Sequence, residues 1–100
     1  MDDKPYLEID EWKTRIWRNK YGQYHCLDGP AIERIDDLNN IREWWQNGKK
    51  HRLDGPATEV GDYKAWWKNG VKFPDKDTFF ESLTEAEKEI ALFSEDFLNG

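Results

Sequence analysis

Residues 43–57 read EWWQNGKKHRLDGPA, and the way this stretch divides decides the fold. Asn47-Gly48 is the strongest short-range hairpin signal, because both central residues of a tight two-residue turn need φ > 0. Asp54-Gly55-Pro56 reads as a second turn. Asp bonds its own backbone there, Gly supplies an unusual φ, and Pro opens the next strand where no N–H is needed. The stretch therefore predicts a β-hairpin that runs through a corner into a further strand.

The same pattern recurs on both sides. RIWRNKYGQYHCLDGPAIERI begins at Arg15, and its HCLDGPA (25–31) matches HRLDGPA (51–57) in six of seven letters. AWWKNGVKFPD begins at Ala65 and loses the pattern after Phe73. Recurrence of one unit is the signature of a repeat architecture. The copies differ by insertions at turns, YGQY in the first unit and DDLNN (36–40) after it, where a scaffold tolerates them. Further turns are expected at 38–40 and 61–62. The whole of 5–73 is expected to form an antiparallel β-meander of about six to seven short strands.

The tail changes character. In TEAEKEIALFSEDFLNG (84–100), Thr84 and Glu87 form a capping box, and Ala86, Ile90, Phe93 and Phe97 recur at helical spacing on one face. DKDTFFESL (75–83) adds a helical turn capped by Asp77. The expected fold class is α+β: one domain over 1–100, with a repeat sheet over 5–73 covered by a C-terminal helical segment over 76–98.

Composition suits a thin core. Charged residues make up 36% of the chain and mean hydropathy is −1.04, values that suggest disorder, but 15% of residues are aromatic and six are Trp. Disordered chains lack aromatics. A net charge of −6 argues against nonspecific binding to nucleic acid or anionic membrane and permits binding to a basic protein surface. Cys26 stands alone, so no internal disulfide is expected, and no apolar run suits a signal peptide or a membrane span. The expectation is a cytoplasmic protein.

Neighbouring strand residues point to opposite faces. One set holds Ile41, Glu43, Trp45 and Asn47, with Tyr63, Ala65, Trp67 and Asn69, and Trp17 as the match in the first unit. This set is expected to be buried under the helix. The other holds Arg42, Trp44, Gln46, Lys64, Trp66 and Lys68, with Thr14, Ile16 and Arg18, and is expected to be partly exposed, basic stems lying over indoles. A two-residue turn at Asn47-Gly48 sets Trp44 opposite His51 and Glu43 opposite Arg52, the latter a cross-strand ion pair.

WWQNGKKHRLDGPA resembles the variant MORN-type repeat, a W-x-N-G-x-x-H-x-x-G hairpin unit of YwqK-like bacterial repeat proteins. With the HRxDGPA ending it is also similar to small uncharacterised proteins of tailed phages. Trp45, Asn47, Gly48, His51 and Gly55 carry the match, as do Trp17, Asn19, His25 and Gly29, and Trp67, Asn69 and Gly70. The likeness covers about residues 15–73. It implies a binding or scaffolding surface and, through the phage proteins, a host-directed accessory role.

Trp, Tyr and Arg are favoured at interface hot spots. The expected partner-binding residues are therefore Trp44, Trp66, Arg42, Lys64 and Lys68, with His51 at the rim. His25 and His51, with Asp28 and Asp54, have the chemistry for metal binding or acid–base work. Repetition in register is instead what scaffold residues show. No catalytic residue, metal or cofactor is therefore expected, and Cys26 reads as an inert thiol. The reading is a non-catalytic protein-binding module whose partner is another protein, with a host protein as the phage version of that idea, and an open sheet edge as a route to a homodimer. Two alternatives are a small hydrolase or nuclease built on His25 and His51, and an acidic nucleic-acid mimic. The mimic would use Asp2, Asp3, Glu8, Asp10 and Glu11 with the six acids between Glu81 and Asp96.

Overall fold

A computed structural model describes residues 4–36 and 40–99. Its strands are β1 (Tyr6–Ile9), β2 (Arg15–Arg18), β3 (Ile32–Ile35), β4 (Asn40–Glu43), β5 (Trp45–Gln46), β6 (Lys49–Lys50), β7 (Thr58–Val60), β8 (Tyr63–Lys68) and β9 (Val71–Phe73). Three short helices follow: α1 (Lys76–Glu81), α2 (Glu85–Leu92) and α3 (Glu95–Asn99). Seven strands form one antiparallel sheet in the order β1-β2-β3-β4-β7-β8-β9, and β5-β6 is a separate hairpin. The fold is the expected α+β meander with a helical C-terminal part.

The turn chemistry is the local cause. Asn47 and Gly48 sit at φ 51° and 78°, and Asn69 and Gly70 at 50° and 81°, so both Asn-Gly pairs make left-handed hairpin turns. Gly61, in the expected turn at 61–62, has φ 59°. The expected turn at 38–40 falls largely outside the described residues. The first unit has no glycine directly after its Asn. Asn19 compensates with its side chain, whose Oδ1 accepts from the N–H groups of Tyr21 (2.9 Å) and Gln23 (3.1 Å).

The core lies toward one end of the sheet. Trp66, Phe79, Leu83, Ala91 and Phe97 pack together, with Phe73 and Phe80 against them. The Trp66 ring lies 5.6 Å from Phe79 and 5.8 Å from Phe97. This corrects the expected faces at two positions of the third unit: Trp66 is buried at 7% exposure and Tyr63 is exposed, while Ala65 is buried and Lys64 exposed as expected. The reason is register. The main chain of Trp17 donates to Ala31 O and accepts from His25 N, and Trp44 does the same with Ala57 and His51, while Trp66 faces Phe73. Trp17, Trp44 and Trp66 are thus equivalent, and counting back from Asn19 misaligns the units by one residue, which exchanges faces.

The expected helical stripe also fails. Ile90 is 52% exposed and Phe93 90%, while Ala91 and Phe97 are buried. The helix ends at a C-cap on Phe93 and restarts at α3, whose first turn carries Glu95 and Asp96. The break turns Phe97 inward. The Thr84–Glu87 capping box forms as expected, but α1 is capped by Asp75, not Asp77, through a 2.7 Å bond from Thr78 N–H.

Phe79→Ala should therefore lower unfolding free energy by about 3–5 kcal/mol, the usual cost of emptying a buried aromatic site. Phe93→Ala, on the same segment, should change it by less than about 0.5 kcal/mol. Urea denaturation of the two variants checks the helix break, because an unbroken stripe would make Phe93 the costlier loss.

Candidate functional site

Each repeat braces the next through its histidine. His25 Nδ1 accepts from the N–H of Asn47 at 2.9 Å, and His51 Nδ1 accepts from Asn69 N–H at 3.1 Å. A left-handed turn aims that N–H out of its own hairpin, so the preceding repeat supplies the acceptor. Backbone bonds run alongside: Cys26 N to Trp45 O, Gly48 N to Tyr24 O, Arg52 N to Trp67 O and Gly70 N to Lys50 O. The third unit has no successor and carries Phe73 in place of His, which packs edge-on against Phe79 at 5.6 Å.

Arg52 is the centre of the second corner. Its side chain is 5% exposed, and the guanidinium lies 3.8 Å over the Trp44 ring. Nε donates to Asp54 at 2.8 Å, Nη1 to Pro56 O at 3.1 Å and Nη2 to Asp96 at 2.7 Å, with Glu59 3.8 Å away. The expected Arg52–Glu43 pair is absent. Glu43 instead accepts from Trp45 Nε1 at 2.9 Å and faces Lys50 at 4.0 Å. The corner glycine also has a different cause from the one expected. Gly55 lies outside the left-handed region, but a Cβ on it would stand 2.5 Å from Arg52 Cζ. Glycine is there for close approach.

The first corner is open. A cavity of about 700 Å³ is lined by Trp17, His25, Cys26, Asp28, Pro30 and Glu33, with Lys4, Pro5 and Arg15 also on its wall. A second hollow, about 470 Å³, lies on the other side of Cys26–Pro30 and reaches Trp44, His51, Arg52, Ile90 and Asp96. Leu27, 68% exposed, lines both.

The residues expected to bind a partner do not form one face. Trp66 is in the core, and Trp44 lies beneath Arg52. Arg42 donates to Glu33 at 2.9 Å, and Lys68 holds Glu87 at 2.7 Å. Lys64 is exposed on β8 opposite Glu59. Of the six, Trp44 and His51 border the second hollow. Of the acids considered for mimicry, Glu8, Glu85, Glu87 and Asp96 are paired within the chain, and Asp2 and Asp3 lie outside the described residues. Among the described residues no cluster of three or more His, Cys, Asp or Glu could hold a metal ion, and no helix is long and apolar enough to cross a membrane. Sequence reasoning missed the corner cavity, although the Cys26-for-Arg52 difference between the copies was its signal.

No protein-family model, curated protein or solved structure matches this chain.

Burial lowers the pKa of His51 below its ordinary 6.5, with Lys68 adding to the fall and Glu87 opposing it. Only the neutral ring can accept from Asn69. The unfolded chain therefore takes up a proton near pH 6.5 that the folded chain refuses, and stability is complete above that pH and declines as pH falls through it. The melting temperature should drop between about pH 7.5 and 5.5, and His51→Gln should flatten that drop, as followed by circular dichroism.

Proposed function

We propose that the chain is a non-catalytic protein-binding module that engages its partner around the loop Cys26–Pro30. The observation that carries this reading is the loop's setting. Leu27 stands exposed at the wall of two hollows, and the second is bordered by Ile90, 52% exposed, with Phe93 three residues further along the same helix end. Apolar side chains around a concavity with polar walls are the anatomy of an interface centre rather than of an ordinary solvated surface. The histidines support a scaffold role, since each spends Nδ1 on the next repeat's turn. The resemblance of HRLDGPA to the repeat ending of small tailed-phage proteins would make that partner a host protein.

The test is capture from a bacterial lysate by the immobilised full chain. A protein held by the wild type should be lost with Leu27→Ser/Ile90→Ser and retained with Val71→Ser, an equally exposed change on β9. Equal capture by all three would refute the site. A metal-dependent hydrolytic activity, lost in folded His25→Gln, would refute the non-catalytic reading.

A further inference from the structure

The first two repeats share one backbone frame. Trp17 and Trp44 donate to Ala31 and Ala57 at 2.7 and 2.8 Å, and both accept from the following histidine N–H at 3.0 Å. In that frame Cys26 is the counterpart of Arg52, Asp28 of Asp54, Gly29 of Gly55, Pro30 of Pro56 and Glu33 of Glu59. The second repeat shows what this frame binds: a planar guanidinium, stacked on the Trp, bonded to the corner carboxylate and to the proline carbonyl. In the first repeat the chain supplies only a short thiol, and the corresponding space is the cavity lined by Trp17, Cys26, Asp28, Gly29, Pro30 and Glu33. The glycines measure the difference. A Cβ at Gly55 would meet Arg52 Cζ at 2.5 Å, whereas a Cβ at Gly29 meets nothing within 4 Å.

We propose that the first corner is an open guanidinium site that receives an arginine side chain of the partner protein. The inference rests on the protein-binding reading above for the carrier of that arginine, and names its anchor. Trp17 supplies the stacking face, Asp28 the carboxylate and Pro30 the carbonyl, the three groups whose counterparts hold Arg52. Asp28 has no hydrogen-bond or ion-pair partner among the described residues. Glu33 is already shared with Arg42 at 2.9 Å, and Lys4 and Arg15 also line the wall, so net attraction for a cation is modest. Discrimination comes from shape. A flat fork can stack and donate along two directions at once, and a lysine ammonium cannot.

The experiment titrates the ¹⁵N-labelled full chain with N-acetyl-arginine amide and N-acetyl-lysine amide. It follows the Trp17 indole and Gly29 amide signals. The arginine amide should shift both with a dissociation constant on the order of 1–10 mM, the range open to a single stacked, charge-assisted group, and the lysine amide should bind about fivefold more weakly or less. Gly29→Ala sets a methyl where the guanidinium carbon would sit. It should abolish the response with the melting temperature unchanged, whereas Gly55→Ala, which displaces Arg52, should lower that temperature. Cys26→Arg should fill the site from within, raise the melting temperature and remove the response. An equal response to lysine, no response to either amide, or a response that survives Gly29→Ala would overturn the proposal. The titration needs no partner. A chain that binds arginine amide but captures no protein fails only the broader reading, and one that captures protein through Leu27 and Ile90 but ignores arginine amide fails only this one.

Discussion

The Arg52 guanidinium over Trp44 is the contact that ties the second corner to α3. A buried cation is tolerated only when its donors are satisfied, and here they are satisfied by its own corner and by α3, with a carboxylate of β7 nearby. Asp54 and Pro56 belong to its own corner, Glu59 to β7 and Asp96 to α3. The corner cannot tighten around the guanidinium without Gly55, nor can α3 dock as it does without placing Asp96 against Nη2. Asp54 and Asp96 are themselves 47% and 68% exposed at the side chain, so their charges keep part of their hydration and the desolvation cost falls mainly on the arginine. What the cluster specifies is position. The corner, the β7 strand that follows it and the distant α3 must meet at one planar group.

Around that contact the three equivalent tryptophans form a series. Each is hydrogen-bonded into the sheet by its backbone, so its indole must lie against whatever the repeat provides. Trp66 is covered by Phe79 and Phe97 from the helices. Trp44 is covered by a guanidinium from its own repeat. Trp17 lines a cavity. One backbone motif thus carries an apolar cover, a cationic cover and an open face in turn, and the molecule runs from a packed core at β8–β9 to an accessible corner near β1–β2.

Most of the backbone plan was legible in the sequence because turn chemistry is local. Asn-Gly pairs fix φ > 0 whatever surrounds them, and the Thr84–Glu87 box needs only its own four residues. The site was less legible because its determinants are relative. Which Trp is buried depends on an alignment between repeats, and Asn19, whose hairpin closes by a different turn, shifts that alignment by one. The helix break at Phe93 and Ser94 hides inside a spacing that suits one continuous helix. Gly55 reads as a turn glycine until Arg52, three residues earlier, gives it a steric reason. The Arg52–Asp96 pair joins residues 44 positions apart, beyond the reach of any local pattern.

The first corner keeps the parts of a guanidinium site without the plug, and among the described residues Gly29 and Asp28 have no other use. Gly29 is outside the left-handed region and has open space where a Cβ would go, so neither backbone strain nor close approach requires it. A glycine there costs roughly 0.5–1 kcal/mol of extra chain entropy relative to alanine in regular structure, with nothing local to offset it. Asp28 likewise holds no partner among the described residues, whereas Asp54 holds Arg52. If Cys26 had merely replaced the arginine in a scaffold, alanine at 29 and a neutral residue at 28 would serve the fold as well. An arginine arriving from outside would give Gly29, Asp28 and the bare face of Trp17 one common reason, the same reason that Gly55, Asp54 and Trp44 already have.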